Sequence, residues 1–391
     1  MLRRAPSSPA LVWLAAWPVM AVFTLSNAAT PLYPLWRERM GFSAGTMTVV
    51  FACYIAGLLG ALPVAGVVSD RLGRRKVMVP AVALALVACL LFATASSVAA
   101  LAAARLLAGV AVGATVSAGM AAVADVAGPD GKARAALASA TAMVAGAGTG
   151  VLLAGVLAET APDPVAAVFG LEAVLIASAG AVFLRLPLRR PAAVPGTWVR
   201  VPSVPRAHRG ALIAGVAVFG PGITATSFVL SLGPSLLADL LGTANRIVAG
   251  GAAALMFAAA TGAQFAMRRR ATRTTLLTGA SATVAGLALL ALAVHLGSVA
   301  GLVAAALLAG AGQGLGFLGG LSLLNAAVPP GRLAEANAAL NVGGYLPAGL
   351  LPVGTGYLGD AVGLGAGTTA FAAVLIAISL AGAAVAVGRG R

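Results

Sequence analysis

Long apolar stretches alternate with short polar interruptions from one end of the chain to the other. The stretches run over roughly 10–33, 44–68, 77–97, 99–123, 135–158, 165–186, 210–236, 246–267, 274–294, 298–323, 335–358 and 363–387. An α-helix needs about 20 such residues to cross a hydrocarbon layer about 30 Å thick. In lipid each backbone N–H and C=O must find its partner inside the segment, which a helix achieves and an open sheet edge does not. The pattern therefore predicts an all-α membrane protein with twelve transmembrane helices.

The longest polar interruption, residues 187–209, carries Pro187, Pro191, Pro195, Pro202 and Pro205 and falls after the sixth stretch. It predicts an N-terminal six-helix bundle over 1–186, a linker over 187–209 and a C-terminal six-helix bundle over 210–391. The halves also match each other. Leu106-Leu107-Ala108-Gly109 recurs as Leu307-Leu308-Ala309-Gly310, and at the same spacing Gly113 meets Gly314, Gly119 meets Gly320 and Pro129 meets Pro330. Duplicated bundles of this kind are how many secondary transporters are built.

Composition narrows the reading. The 391 residues are 60% hydrophobic and 9% charged, against about 25% charged in an average soluble domain. Disorder, which needs polarity, is excluded. The net charge of +15 is not a nucleic-acid footprint, because aromatics are only 5% and the basic residues sit in short clusters between apolar runs. Of the 25 Lys and Arg, only Arg37, Arg39 and Arg246 fall on the side opposite the N-terminus, and Arg105 lies inside a span. Lys and Arg gather on the cytoplasmic side of membrane proteins, so both termini are expected there. Cys53 and Cys89 lie in apolar runs and read as packing residues.

Between the second and third stretches stands Gly66-Val67-Val68-Ser69-Asp70-Arg71-Leu72-Gly73-Arg74-Arg75-Lys76. Gly66 suits a close approach of two helices, and Gly73 a tight turn. The segment resembles the signature loop of the major facilitator superfamily, G-x-x-x-D-R-x-G-R-R-x. The resemblance implies a conformational switch made of Gly66, Asp70, Arg71, Gly73, Arg74, Arg75 and Asp125. In it Asp70 caps the start of the eleventh span, and the arginines pair with Asp125 at the end of the fourth. Glu335, at the start of the eleventh span, would oppose the first of these pairings if it faced Asp70. The equivalent place in the second half, Met267-Arg268-Arg269-Arg270, keeps the charge but not the Asp and Gly pattern.

Two further segments resemble the same family. Leu101 to Gly113 is similar to its fourth-span motif, an intramembrane arginine followed by glycines at four-residue spacing: here Arg105, Gly109 and Gly113. Gly146 to Gly155 resembles an antiporter-associated motif, with Val151 and Ala154 where that motif has Pro and Gly. Arg105 either snorkels to the interface or acts as a cavity-facing cation. Glu172, in the sixth span, is the one clearly intramembrane acid. It either changes protonation state during transport or makes a structural hydrogen bond. Thr24, Ser26, Asn27 and Thr30 supply the polar groups of the first span in place of an acid. Asn27, Gln313, Asn341 and Tyr345 join Arg105 and Glu172 as coupling or substrate candidates.

The resemblance implies a secondary transporter working by alternating access, a monomer in a bacterial cytoplasmic membrane. Its partners are then the lipid bilayer, a small-molecule substrate and protons as coupling ion, with no cofactor, no metal and no nucleic acid. Efflux of small amphipathic or apolar compounds is the favoured expectation, and transport of a small polar or anionic metabolite the alternative. A membrane enzyme would need His, Asp, Glu or Cys converging near one face, and the sequence offers no such cluster.

Overall fold

Side-chain caps set several of the turns between helices. Asp163 accepts the N–H groups of Val165 and Ala166 at 3.2 and 3.1 Å, with Pro164 opening the helix behind it. Ser97, Asn245 and Ser298 each accept the N–H three residues on, which satisfies one of the orphan donors at a helix start. Gly41 and Gly297 close helices with φ of 66° and 63°, the left-handed stop that glycine adopts without strain.

The computed structural model describes residues 9–188, 202–241, 245–329 and 332–388. The helices of the first half of the sequence are α1 (Pro9–Ala28), α2 (Tyr33–Met40), α3 (Ala44–Leu72), α4 (Arg74–Ala93), α5 (Val98–Ala114), α6 (Met120–Ala127), α7 (Lys132–Thr160) and α8 (Pro164–Arg185). Those of the second are α9 (Arg209–Leu241), α10 (Arg246–Met267), α11 (Thr272–Leu296), α12 (Val299–Ala327), α13 (Leu333–Val362) and α14 (Leu364–Gly388). Among the described residues there are helices and no strands, and they form twelve long segments, one for each expected span. Most of the expected linker, residues 189–201, lies outside the described residues. So do Arg3, Arg4, Arg389 and Arg391 of the charge pattern and Pro330 of the repeat.

Two spans are not continuous α-helix. The first is split into α1 and α2 by a 3₁₀ turn, Thr30–Leu32, because Pro31 and Pro34 have no N–H to give the preceding carbonyls. The fourth is α5 and α6 joined by a π turn, Thr115–Gly119, which inserts one residue per turn into the helical ladder. Among the described residues, eleven segments are long and apolar enough to cross a membrane by length and composition. The twelfth, α13, is 30 residues long but is diluted by Asn337, Asn341, Tyr345, Pro347 and Pro352.

By compactness the chain forms two units, one of residues 1–29 and 56–200, the other of residues 30–55 and 201–391. The first boundary coincides with the break in span one, and the second falls within α3. In the first unit α1 packs on α7 and α8, and α4 packs on α5 and α8. In the second unit α12 packs on α9, α10 and α11, and α13 on α9 and α14.

Candidate functional site

The signature loop is a sharp turn that delivers two arginines. Gly73 has φ of 100°, a conformation that strains any residue with a Cβ, and its N–H closes back on the Ser69 carbonyl at 3.1 Å. The next residue, Arg74, thereby starts α4 facing the end of α3. Its guanidinium donates to Asp70 at 2.6 Å, to Ser69 Oγ at 2.9 Å and to Asp125, at the end of α6, at 3.0 Å. Arg75 Nη2 donates to the carbonyls of Leu184 and Leu186 at 2.9 and 3.0 Å, occupying acceptors that the end of α8 leaves open. The loop thus ties α3, α4, α6 and α8 together inside the first unit.

Gly66 does not make the close helix approach expected of it. A Cβ there would meet nothing nearer than Ser117 Cβ at 3.9 Å, so it is not a point of tight contact. The close approach of α3 to α5 is made at Gly57 and Gly113. A Cβ on Gly57 would collide with the Leu106 carbonyl and stand 2.9 Å from Val110 N, and one on Gly113 would stand 2.8 Å from the Leu58 carbonyl.

Arg105 and Glu172 both converge on the last turns of α1. Arg105 is 0% exposed, so it does not snorkel. Its Nη1 donates to the Ser26 carbonyl at 2.7 Å, and its guanidinium carbon lies 5.9 Å from the centre of the Phe92 ring, within cation–π reach. Glu172 is 3% exposed. Its carboxyl group lies 2.6 Å from the Thr24 hydroxyl, which is also 2.7 Å from the Ala21 carbonyl. Phe92 and Phe169 stack at 4.6 Å, giving this cluster an aromatic wall. Asn27 Nδ2 donates to Ser26 Oγ at 3.1 Å. The structure therefore gathers Asn27, Arg105 and Glu172 around one short stretch of α1.

The remaining candidates lie in the second unit. Asn341 Nδ2 donates to the Asn337 carbonyl at 2.9 Å, one turn earlier on α13. Tyr345, one further turn on, meets Phe219 of α9 edge-on at 6.2 Å. Gln313 of α12 lies where α9 comes closest, since a Cβ on Gly222 would stand 2.8 Å from its Cα. At the start of α13, Arg332 donates to Glu335 at 2.6 Å and to Ser203 Oγ at 3.2 Å, and Ser203 donates to Glu335 at 3.2 Å.

Sequence reasoning missed Asp360. Near the end of α13 it accepts the N–H groups of Ala44 and Gly45, the first residues of α3, at 2.9 and 2.8 Å. It lies beyond the apolar part of its span. Partial burial acts to raise its pKa, but the Ser43 hydroxyl, the Gly45 and Ala44 N–H groups and nearby Arg37 together hold it below the ordinary carboxylate value. The one clue in the sequence was an acid placed on the side that carries few charges.

Among the described residues the chain is helical, with a turn that clamps four helix ends and charge buried inside a bundle, the build of a polytopic membrane protein. The model of the Major Facilitator Superfamily matches residues 12–352, and the chain belongs to that family. It is a multi-pass membrane transporter of small molecules and not an enzyme. Several solved structures share the fold. The nucleoside transporter NupG superposes with a TM-score of 0.77 at 14% identity, over 96% of this chain and 99% of its own. A bacterial homolog of the human lysosomal transporter Spinster gives 0.76 at 14%, over 97% and 96%. The POT family transporter PepTSo gives 0.80 at 11%, over 98% and 99%. No curated protein matches the sequence significantly.

Proposed function

We propose that the chain is a proton-coupled exporter of small amphipathic or apolar compounds. It works by alternating access between its two six-helix halves, as a monomer in a cytoplasmic membrane with both termini inside. The charge distribution along the sequence supports that orientation.

The observation that carries the proton coupling is the pair of contacts made by Thr24. Its hydroxyl has one hydrogen to give, yet it stands at hydrogen-bond distance from both the Glu172 carboxyl group and the Ala21 carbonyl. A neutral Glu172 satisfies both contacts by donating to Thr24 while Thr24 donates to Ala21. An ionised Glu172 takes the Thr24 hydrogen and leaves the second contact empty. The site therefore has two hydrogen-bond arrangements that differ by one proton, which is what a coupling group requires.

Arg105 weighs between the substrate classes. Its guanidinium is buried against Ser26 and Phe92, which supports a role in holding α1 rather than in contacting an anionic substrate. That favours compounds without an anionic group. Transport of a small polar neutral compound is the second reading. It is supported by Asn337 Oδ1, which is buried and has no hydrogen-bond partner, beside the amide of Asn341.

Everted membrane vesicles loaded with candidate compounds, assayed with and without a pH gradient, test the proposal. Gradient-dependent flux in the wild type and its loss in Glu172→Gln is the expected result. Full proton-coupled flux in Glu172→Gln would remove Glu172 as the coupling group.

A further inference from the structure

The start of α3 is capped from 316 residues away. A helix start leaves about four N–H groups without intrahelical partners, and here three of them find side-chain acceptors. Ser43 Oγ takes the Thr46 N–H at 3.1 Å, and the Ser43 carbonyl takes the first bond of the helical ladder, from Met47 N–H, at 3.1 Å. The other two, from Ala44 and Gly45, go to the two carboxylate oxygens of Asp360. A carboxylate on the positive end of a helix makes charge-assisted hydrogen bonds.

The helices approach each other closely there, at two glycines. A Cβ on Gly45 would collide with the Tyr357 ring, and one on Gly356 would stand 2.6 Å from Thr48 Oγ1 and 2.9 Å from the Ala44 carbonyl. This contact lies inside the second unit, to which residues 30–55 belong although they precede the linker in sequence. At the other end of the same helix, Asp70 takes Arg74. The two ends are about 40 Å apart at 1.5 Å per residue.

Asp360 is exposed. When the contact opens, water can solvate both the carboxylate and the two N–H groups, so breaking it leaves no buried charge behind. A contact with two strong bonds, a close approach at two glycines and access to water is suited to repeated opening.

We propose that Asp360, with Gly356 and Gly45, is a releasable latch that holds the first turns of α3 against α13, and that its release opens this end of the protein. The latch rests on the reading that the carrier opens at its two ends in turn.

The test uses Met47→Cys as reporter, in a background of Cys53→Ser and Cys89→Ser. Met47 is 0% exposed and lies 4.0 Å from Ser235 Oγ. Labelling by a small water-soluble maleimide is followed in proteoliposomes. Asp360→Ala and Gly356→Ala should each speed labelling about tenfold, the order expected for losing hydrogen bonds to a charged group. Gly356→Ala keeps the acid and separates the helices, so it still tests the latch if Asp360→Ala does not fold. Unchanged labelling in either folded variant overturns the proposal. Ser43→Asp added to Asp360→Ala separates a latch from a plain cap, because it restores an acid at the helix start but no link to α13. Labelling should stay fast in the double variant, and a return to the wild-type rate would show that Asp360 only caps α3. Flux is measured on the same liposomes. Absent wild-type flux counts against the transport reading, whereas the labelling rates decide the latch.

Discussion

Arg105 donates to the carbonyl of Ser26 at 2.7 Å, bringing a buried cation to a helix end that has lost its own donors. α1 stops at Ala28 and the chain turns 3₁₀ from Thr30, so the Ser26 carbonyl is among the last that the helix itself leaves open. The guanidinium of α5 fills part of that gap from across the bundle, while its planar face rests on Phe92.

Arg105→Ala should therefore destabilise the protein by about 2–4 kcal/mol, through an orphaned carbonyl and a side-chain-sized cavity. Arg105→Lys should recover only part, since an ammonium lacks the planar face that lies over Phe92. Thermal unfolding in detergent measures both. A transport assay adds the functional arm: an anion carrier would lose substrate affinity in Arg105→Ala, whereas an exporter of uncharged compounds should lose stability or coupling first.

Glycine positions separate what the signature motif implies from what the packing needs. Gly150→Ala would put a Cβ 2.6 Å from Thr24 Cα, wedging α7 from α1 at the turn that holds Glu172. Overpacking of this kind costs about 1–3 kcal/mol. Gly66→Ala meets only an ordinary contact with Ser117, and should change stability by no more than about 0.5 kcal/mol. A larger loss from Gly66→Ala than from Gly150→Ala would contradict this packing.

The difference between those two glycines shows how far the sequence could be read. The twelve spans were legible because hydrophobic length is a one-dimensional signal, Arg74 and Asp70 because their motif is local, and Asp125 only through the family resemblance. Helix faces were not legible. In a bilayer lipid-facing and buried residues are both apolar, so an Ala- and Gly-rich helix shows no stripe that tells Gly57 from Gly66. The break in span one was written in Pro31 and Pro34, but an apolar run conceals it. Asp360 was beyond reach for another reason, since its partners are backbone N–H groups, which every residue but proline has.

Thr24 and Glu172 should fail in different degrees. Glu172→Gln cannot release a proton, so gradient-driven flux should be lost. Thr24→Val keeps the acid and removes one hydrogen bond to it, which should slow flux about tenfold while leaving its dependence on the gradient intact. Initial rates in vesicles at fixed internal pH, with the gradient varied, distinguish a lost coupling group from a weakened one. Equal loss in both variants would point to a structural role for the pair.

Asp360 makes the one pH prediction whose sign follows from its surroundings. Its hydrogen bonds hold its folded pKa below the ordinary carboxylate value, which is about 3.9 for Asp. A depressed folded pKa means that the folded state favours the ionised form. Its contribution is therefore fully present above the unfolded value and is lost as pH falls through the folded one. The melting-temperature gap between wild type and Asp360→Asn should stay constant from about pH 5 to 8 and close only below about pH 4. Solvent exposure keeps the gap to a few degrees, since exposed charge pairs are screened. A gap that closes between pH 6 and 8 would mean that a histidine or a buried acid, and not Asp360, sets the pH response of this end of α3.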